Sequence, residues 1–146
     1  MTIATVTTDI NIGPFKIPSN GQNMIMNNYA QRNNLQVELV IPEPFKSNAL
    51  ATTQWVHKKK KLKKVILCSI HQLPQDQYRM NKLLKSMKNV EFHFALENIY
   101  GTGRKFLKNC IIEAKIFKHA KIIDSSKISW SDLYKLKLKK QKKYKV

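Results

Sequence analysis

The sequence predicts an α/β domain with a small, four-stranded, mostly parallel sheet that has helices on both faces. Two observations predict it. Four segments rich in apolar and β-branched residues alternate with four segments of helical spacing, which gives the order β-α-β-α-β-α-β-α. The third β segment, VILCSI (65–70), is apolar at consecutive positions. That pattern is typical of a parallel strand that is covered on both faces.

The first half of the chain supplies two strands and the helix between them. TIATVTT (2–8) is the first predicted strand, and a polar loop follows it. Ser19 is a plausible N-cap for a helix over 20–33, because its hydroxyl can accept a hydrogen bond from the first turn. QVELVI (36–41) is the second predicted strand, and prolines close it.

A second helix is predicted over 47–62, where we expect Trp55 and Val56 to face the sheet and the lysines to form the exposed last turns. After strand 65–70, Pro74 can open a third helix over 74–88.

The fourth predicted strand is VEFHFAL (90–96), followed by a glycine-flanked loop at 100–104 and a helix over 104–119. A final helix or tail is expected at 127–140. We therefore divide the chain into one α/β domain, 1–122, and a basic C-terminal helix or tail, 123–146.

Length and composition favour one globular domain. The 146 residues include 42% hydrophobic residues, enough to form a core. No apolar run approaches the 18 or more residues of a membrane-spanning helix, and the start of the chain lacks a secretory signal pattern. We expect a cytoplasmic protein without a transmembrane segment.

The net charge of +18 is concentrated in residues 57–146, since 1–56 are balanced. HKKKKLKK (57–64) and KLKLKKQKKYKV (135–146) hold most of it, and only three basic residues are arginine. Solvated lysine faces are the simplest interpretation. Weak contact with a polyanion or a membrane surface is the alternative, and its candidate residues are Lys58, Lys59, Lys60, Lys61, Lys139, Lys140, Lys142 and Lys143.

A ligand site is predicted where the strands end, because open α/β sheets bind ligands beyond the carboxyl ends of their strands. Four separate parts of the chain bring polar side chains to this edge. The candidate ligand-binding residues are Thr7, Thr8, Gln22, Asn23, His71, Gln72, Glu97 and Asn98.

The chemistry of this edge is open. His71 could act as a general acid or base, with Ser69 or Thr7 as a nucleophile, but a histidine after a strand also serves as a surface or hydrogen-bonding residue. Glu97 and Asn98 could hold a hydroxyl-rich ligand, or Asn98 could cap the strand–loop junction. Gln22 and Asn23 could point into the same crevice or cap their helix.

Other motifs point away from cofactor chemistry. Cys68 and Cys110 match no metal-binding spacing, and Cys68 lies in an apolar run, as a core residue would. YGTGRK (100–105) lacks the phosphate-binding glycine patterns and follows the wrong strand. His93 is expected to face outward or to lie at an edge. We predict no metal and no cofactor.

The block IPSNGQNMIMNNYAQRNNLQVEL, followed by CSIHQLPQDQ and VEFHFALEN, resembles the sporadic carbohydrate cluster family. These are small bacterial proteins encoded within gene clusters for surface-polysaccharide biosynthesis. The resemblance covers 3–98, and its most specific parts are Gln22-Asn23 with Tyr29 and Asn33, the segment 72–74, and Glu97-Asn98. It implies a role in making or modifying a cell-surface glycan.

A more distant likeness is to the catalytic domain of serine recombinases, which would make the fold a resolvase-like three-layer sandwich. In those enzymes a loop after the third strand carries arginines that hold the scissile phosphate. The matching stretch here, HQLPQ (71–75), contains no arginine. A phosphodiester transition state needs such positive charge, so the likeness implies the fold and argues against strand exchange.

Three functional hypotheses follow. The first is an accessory protein of surface-polysaccharide biosynthesis, whether or not it is an enzyme, that binds a sugar or a nucleotide-sugar at the strand ends. The second is a basic nucleic-acid-binding module that uses the lysine-rich segments without recombinase activity. The third is a scaffold that pairs with a glycosyltransferase or another protein of the same cluster.

Overall fold

Five strands form one mixed sheet in the order β2-β1-β3-β4-β5. The structure, a computed structural model, describes residues 2–12, 16–43 and 49–120. Strands β1 to β4 run parallel to one another, and β5 runs antiparallel to β4. The strands are β1 (Thr2–Thr7), β2 (Leu39–Pro42), β3 (Leu62–Leu67), β4 (Glu91–Phe94) and β5 (Ile99–Thr102).

Helices cover both faces of this sheet, as the sequence predicts. Side chains of α2, α3 and α4 pack into the larger core on one face, while α1 is the described helix that packs against the other face. The helices are α1 (Ser19–Arg32), α2 (Ala51–Lys59), α3 (Gln77–Ser86) and α4 (Arg104–Ala120), and a 3₁₀ turn, Ile70–Gln72, follows β3.

The central strand, β3, explains why its sequence is apolar at consecutive positions. Val65 and Leu67 point into the larger core, whereas Ile66 and Cys68 point toward α1, and all four are fully buried. Alternate side chains of a strand lie on opposite faces, so a strand covered on both sides needs apolar residues throughout. Burial also raises the pKa of the Cys68 thiol to about 11, which fits a core residue.

The prediction of four strands is wrong, because the segment expected as a loop at 100–104 forms β5. A turn at 95–98, in which Asn98 has a φ of 55°, reverses the chain and pairs Phe94 with Ile99. Gly101 is required in this strand, since a Cβ there would lie 2.6 Å from the ring of Phe106. Gly101 therefore marks close packing against α4 at the sheet edge.

The lysine-rich segment does not continue the second helix to residue 62. Helix α2 ends at Lys59, and Nδ1 of His57 accepts a hydrogen bond from the backbone N–H of Leu62 at the start of β3. Trp55 is 61% exposed and does not face the sheet, whereas Val56 packs against the core as expected.

Other element boundaries shift by a few residues. Ser19 is the first residue of α1 and not its cap, because Pro18 occupies the cap position. Helix α3 begins after Asp76, whose side chain accepts a hydrogen bond from the N–H of Arg79, and not at Pro74. Capping by a carboxylate supplies a partner for the free donors of the first turn.

Glu43, just beyond β2, fixes the start of α2. It is buried, and its carboxylate accepts hydrogen bonds from the N–H of Thr52 (3.2 Å) and from the N–H (2.8 Å) and hydroxyl (2.7 Å) of Thr53. A negative charge at this position also interacts favourably with the helix dipole. Glu43 is therefore a structural carboxylate at the sheet edge.

Substitution Glu43→Ala should lower the free energy of unfolding by about 2 kcal/mol, because it leaves three donors of α2 without their acceptor. Urea unfolding followed by circular dichroism measures this loss. The matched control is Glu38→Ala. Glu38 is an exposed acidic residue at the other end of β2, and its substitution should change stability by less than about 0.5 kcal/mol. Equal losses in both variants would contradict the assigned role of Glu43.

Candidate functional site

Two buried glutamines lie at the carboxyl edge of the sheet, where the carboxyl ends of the parallel strands meet. Gln22 comes from the first turns of α1 and Gln72 from the 3₁₀ turn, and both are fully buried. The Nε2 of Gln72 donates to the Oε1 of Gln22 at 3.0 Å, although the two residues are 50 positions apart. This contact joins the segments that follow β1 and β3.

The amide of Gln22 is fully used by the backbone around it. Its Oε1 accepts from the N–H of Thr8 (3.0 Å) in addition to Gln72, and its Nε2 donates to the carbonyl oxygens of Thr8 (2.7 Å) and Ile17 (2.8 Å). An amide offers two donors and two acceptor lone pairs, so no hydrogen-bonding capacity remains for a ligand.

The amide of Gln72 is satisfied in the same way. Its Oε1 accepts from the backbone N–H groups of Cys68 (2.7 Å) and Ser69 (3.0 Å), and its Nε2 donates to the Thr8 hydroxyl (2.7 Å) and to Gln22. These bonds supply partners for the N–H groups that the end of β3 would otherwise leave unpaired in the interior. Both glutamines thus make their amide hydrogen bonds within the protein, and together they form the buried floor of this edge.

Glu97 forms the outer rim above this floor. It lies in the turn after β4, and its Oε1 accepts hydrogen bonds from the Ser69 hydroxyl (2.8 Å) and from the N–H of Ile70. Burial raises the pKa of this carboxyl, the two hydrogen bonds oppose that rise, and the nearby Glu113 adds to it. The two hydrogen bonds fix the position of the Glu97 carboxyl. Because Glu97 is only half-buried, a ligand can still reach it.

The predicted site residues therefore separate into two layers. Thr7, Thr8, Gln22, Ser69 and Gln72 are buried. The residues that reach the surface are Asn23, His71 and Glu97, which are half-buried, and Asn98, which is exposed. Of the three catalytic candidates, Thr7, Ser69 and His71, only His71 reaches the surface.

A second polar cluster, which the sequence did not reveal, lies on the face covered by α1. His93 is buried and does not face outward as expected. The Tyr29 hydroxyl lies 2.7 Å from its Nδ1, and Glu91 Oε1 lies 2.6 Å from its Nε2. Because an ionised carboxylate only accepts hydrogen bonds, Nε2 carries the proton and Tyr29 donates to Nδ1.

Burial lowers the pKa of His93, although its hydrogen bond to Glu91 opposes this shift. Tyr100 stacks on its ring at a centroid distance of 5.0 Å, and Lys64 lies 3.5 Å from Glu91. Burial disfavours ionisation of Glu91, but His93 and Lys64 lower its pKa overall. The histidine is therefore held neutral between a phenol and a carboxylate.

The remaining candidates have different positions. Lys58, Lys59, Lys60 and Lys61 are exposed. The lysines at 139–143, and the predicted division between 1–122 and 123–146, fall outside the described residues. In the described ranges, no group of three His, Cys, Asp or Glu side chains is placed to hold a metal ion, and no helix is long and apolar enough to cross a membrane.

Comparison with solved structures identifies the fold. The N-terminal catalytic domain of TP901-1 integrase matches with a TM-score of 0.54 and 17% sequence identity, over 83% of this chain and 96% of that one. The likeness to a resolvase-like serine integrase domain is thus confirmed for the fold alone. No protein-family model and no curated protein matches the chain, so the resemblance to the carbohydrate cluster family stays a prediction.

Substitution Gln72→Glu should lower the free energy of unfolding by about 3 kcal/mol at pH 7, because a buried carboxylate would face the Gln22 oxygen and could no longer donate. The loss should be smaller at pH 4, where the new carboxyl is protonated. Urea unfolding at both pH values measures it. Gln36→Glu, at an exposed position, is the control and should change stability by less than about 0.5 kcal/mol. If Gln72→Glu changes the free energy of unfolding only slightly at both pH values, the amide of Gln72 is not buried and fully hydrogen-bonded as described.

His93 should make the protein less stable as the pH falls. Its pKa is lower in the folded protein than the ordinary value of 6.5, so the unfolded chain takes up a proton first. Stability is then highest above that value and decreases below it. Between pH 7.5 and 5.5, the wild type should lose more free energy of unfolding than His93→Gln, whose amide can contact both partners without titrating. An identical pH dependence in the two proteins would contradict this assignment.

Proposed function

We propose that the protein binds a nucleotide-sugar at the rim of the carboxyl edge and takes part in bacterial surface-polysaccharide biosynthesis. The observation that carries the proposal is the position of Glu97, a half-buried carboxyl held by Ser69 and Ile70 at a reachable edge. A carboxyl fixed in this way can hold sugar hydroxyl groups in one orientation, since its geometry is set before the ligand arrives.

The groups around Glu97 suit the sugar half of such a ligand. Asn23, Asn98 and His71 add amide and imidazole groups that both donate and accept hydrogen bonds, as a hydroxyl-rich ligand requires. Burial raises the pKa of Glu97, whereas the hydrogen bonds from Ser69 and Ile70 oppose that rise because they favour the carboxylate.

The start of α1 suits the diphosphate half. This 14-residue helix begins beside the glutamine floor and has no acidic residue in its first turn. Its free N–H groups and dipole favour an anion. The overall charge of +18 adds a general attraction for a negatively charged ligand.

The proposed biological process rests on the resemblance of 3–98 to the carbohydrate cluster family. The residues most specific to that resemblance include Gln22 and Gln72 in the floor and Glu97 with Asn98 at the rim. The integrase-like fold does not favour DNA strand exchange here, since the stretch HQLPQ (71–75) lacks the arginines that such chemistry needs. The proposal assigns binding and no reaction.

The test is saturation-transfer NMR with a panel of UDP-, GDP-, CMP- and dTDP-sugars and the free nucleotides as controls. At least one nucleotide-sugar should give a signal on both its sugar and its nucleotide protons. Glu97→Gln should weaken its affinity by about tenfold, the value of one charge-assisted hydrogen bond.

The matched control is Glu38→Gln, which removes the same charge at an exposed position at the opposite edge of the sheet and should bind as the wild type does. No signal from any member of the panel with a folded protein would refute the proposal. So would equal binding by Glu97→Gln and the wild type.

A further inference from the structure

An open groove of about 720 Å³ lies between α2 and α3, on the side of the sheet opposite to α1. Its lining joins the two helices through a hydrogen bond from the Ser86 hydroxyl to the Oε1 of Gln54, at 2.8 Å. This volume lies within the range of ligand-binding pockets in proteins. The groove is separate from the rim around Glu97, whose residues it does not include.

Two exposed aromatic side chains line this groove, one from each helix. Trp55 of α2 is 61% exposed and Tyr78 of α3 is 75% exposed. The Nζ of Lys59 lies 5.9 Å from the centre of the Trp55 ring, close enough for a cation–π contact. Two exposed aromatic rings in one groove form an apolar patch rimmed by polar groups, which is the kind of surface that marks a binding site.

The charged groups of the groove are basic. Lys58 comes from α2, and Arg79, Lys82 and Lys85 come from α3. None of the described residues that line the groove is acidic. The nearest acidic residue in sequence, Asp76, caps α3 by accepting from the N–H of Arg79. The groove therefore complements a chain of negative charges.

We infer that this groove binds single-stranded nucleic acid, with phosphates along the basic side chains and bases stacked on Trp55 and Tyr78. Basic grooves with aromatic rings are what non-specific single-strand binding requires, because every base offers a face for stacking. A duplex keeps its bases paired and stacked inside, so it cannot use the two rings. An acidic peptide would use the cations but offers no matching series of flat groups.

The sequence did not show this surface. Trp55 and Tyr78 are far apart in the chain, and neither lies among the aromatic residues of the basic tail. The fold brings them together by packing α2 and α3 side by side on one face of the sheet. The inference is independent of the proposed nucleotide-sugar site, since the two surfaces share no residue.

The experiment is fluorescence anisotropy of a labelled oligothymidylate with the full-length protein at several salt concentrations. Trp55→Ala/Tyr78→Ala should weaken binding by about thirtyfold or more, because two stacked bases lose their partners, without changing the salt dependence, since stacking involves no counterion. Lys82→Ala/Lys85→Ala should reduce the slope of log K against log salt by about 1.4, the value for two single-strand phosphates.

The matched control is Lys105→Ala/Lys108→Ala, which removes the same charge from exposed positions on α4 and should leave the slope near that of the wild type. The hybridised duplex should bind less tightly than the single strand. Equal slope losses in the two lysine pairs, or no effect of the aromatic substitutions, would overturn the inference and leave only general attraction of polyanions.

Heparin separates a glycan from a nucleic acid as the occupant, because it carries charge but no bases. It should bind the wild type and Trp55→Ala/Tyr78→Ala equally. If Trp55→Ala/Tyr78→Ala weakens the binding of heparin but not that of the oligonucleotide, the groove is a glycan site and the inference is wrong.

Discussion

The hydrogen-bonded pair of Gln22 and Gln72 is the constraint on which the carboxyl edge depends. Parallel strands end with backbone donors and acceptors that the sheet no longer pairs, and these must find partners if they are buried. Here two side-chain amides supply them, in contact with both Thr8 and the end of β3. The backbone groups fix the orientation of each amide, so the edge is rigid before any ligand binds.

This rigid floor determines where function can lie. The glutamines, the threonines after β1 and Ser69 are buried and mostly occupied, so a ligand can reach only the layer above them. In that layer Glu97 has a fixed position because Ser69 and Ile70 hold one of its oxygens. A reachable carboxyl on a rigid support is how binding sites are organised when affinity depends on preorganisation. The fold that it shares with an integrase domain provides the frame, and the side chains decide the chemistry.

The sequence predicts the parts of the fold that depend on local pattern. The continuous apolar run of β3 indicates a strand covered on both faces, and α1 and α4 lie within one residue of their predicted bounds. The errors have long-range causes. Strand β5 exists because Ile99 and Tyr100 pair with β4, and the glycines at 101 and 103 make the same segment look like a loop in the sequence. His93 is buried between Tyr29 of α1 and Tyr100 of β5, which are 64 and 7 residues away in the chain.

The candidate site also has a part that local sequence pattern predicts and a part that depends on long-range contacts. Its location follows from the rule that ligands bind beyond strand ends, and the predicted polar residues form two layers there, one buried and one that reaches the surface. The sequence could not distinguish the buried floor residues from the residues at the rim. The hydrogen bond that buries Gln22 and Gln72 together joins residues that are 50 positions apart in the chain. The second surface, between α2 and α3, likewise depends on the packing of helices and not on any motif.

The most direct test is a heteronuclear NMR titration of the ¹⁵N-labelled protein with a nucleotide-sugar that binds. The account predicts that the amide signals of Asn23, His71, Glu97 and Asn98 shift together, while the side-chain NH₂ signals of Gln22 and Gln72 stay in place with their internal partners. Shifts of those glutamine signals, or shifts confined to the groove around Trp55 and Tyr78, would contradict it.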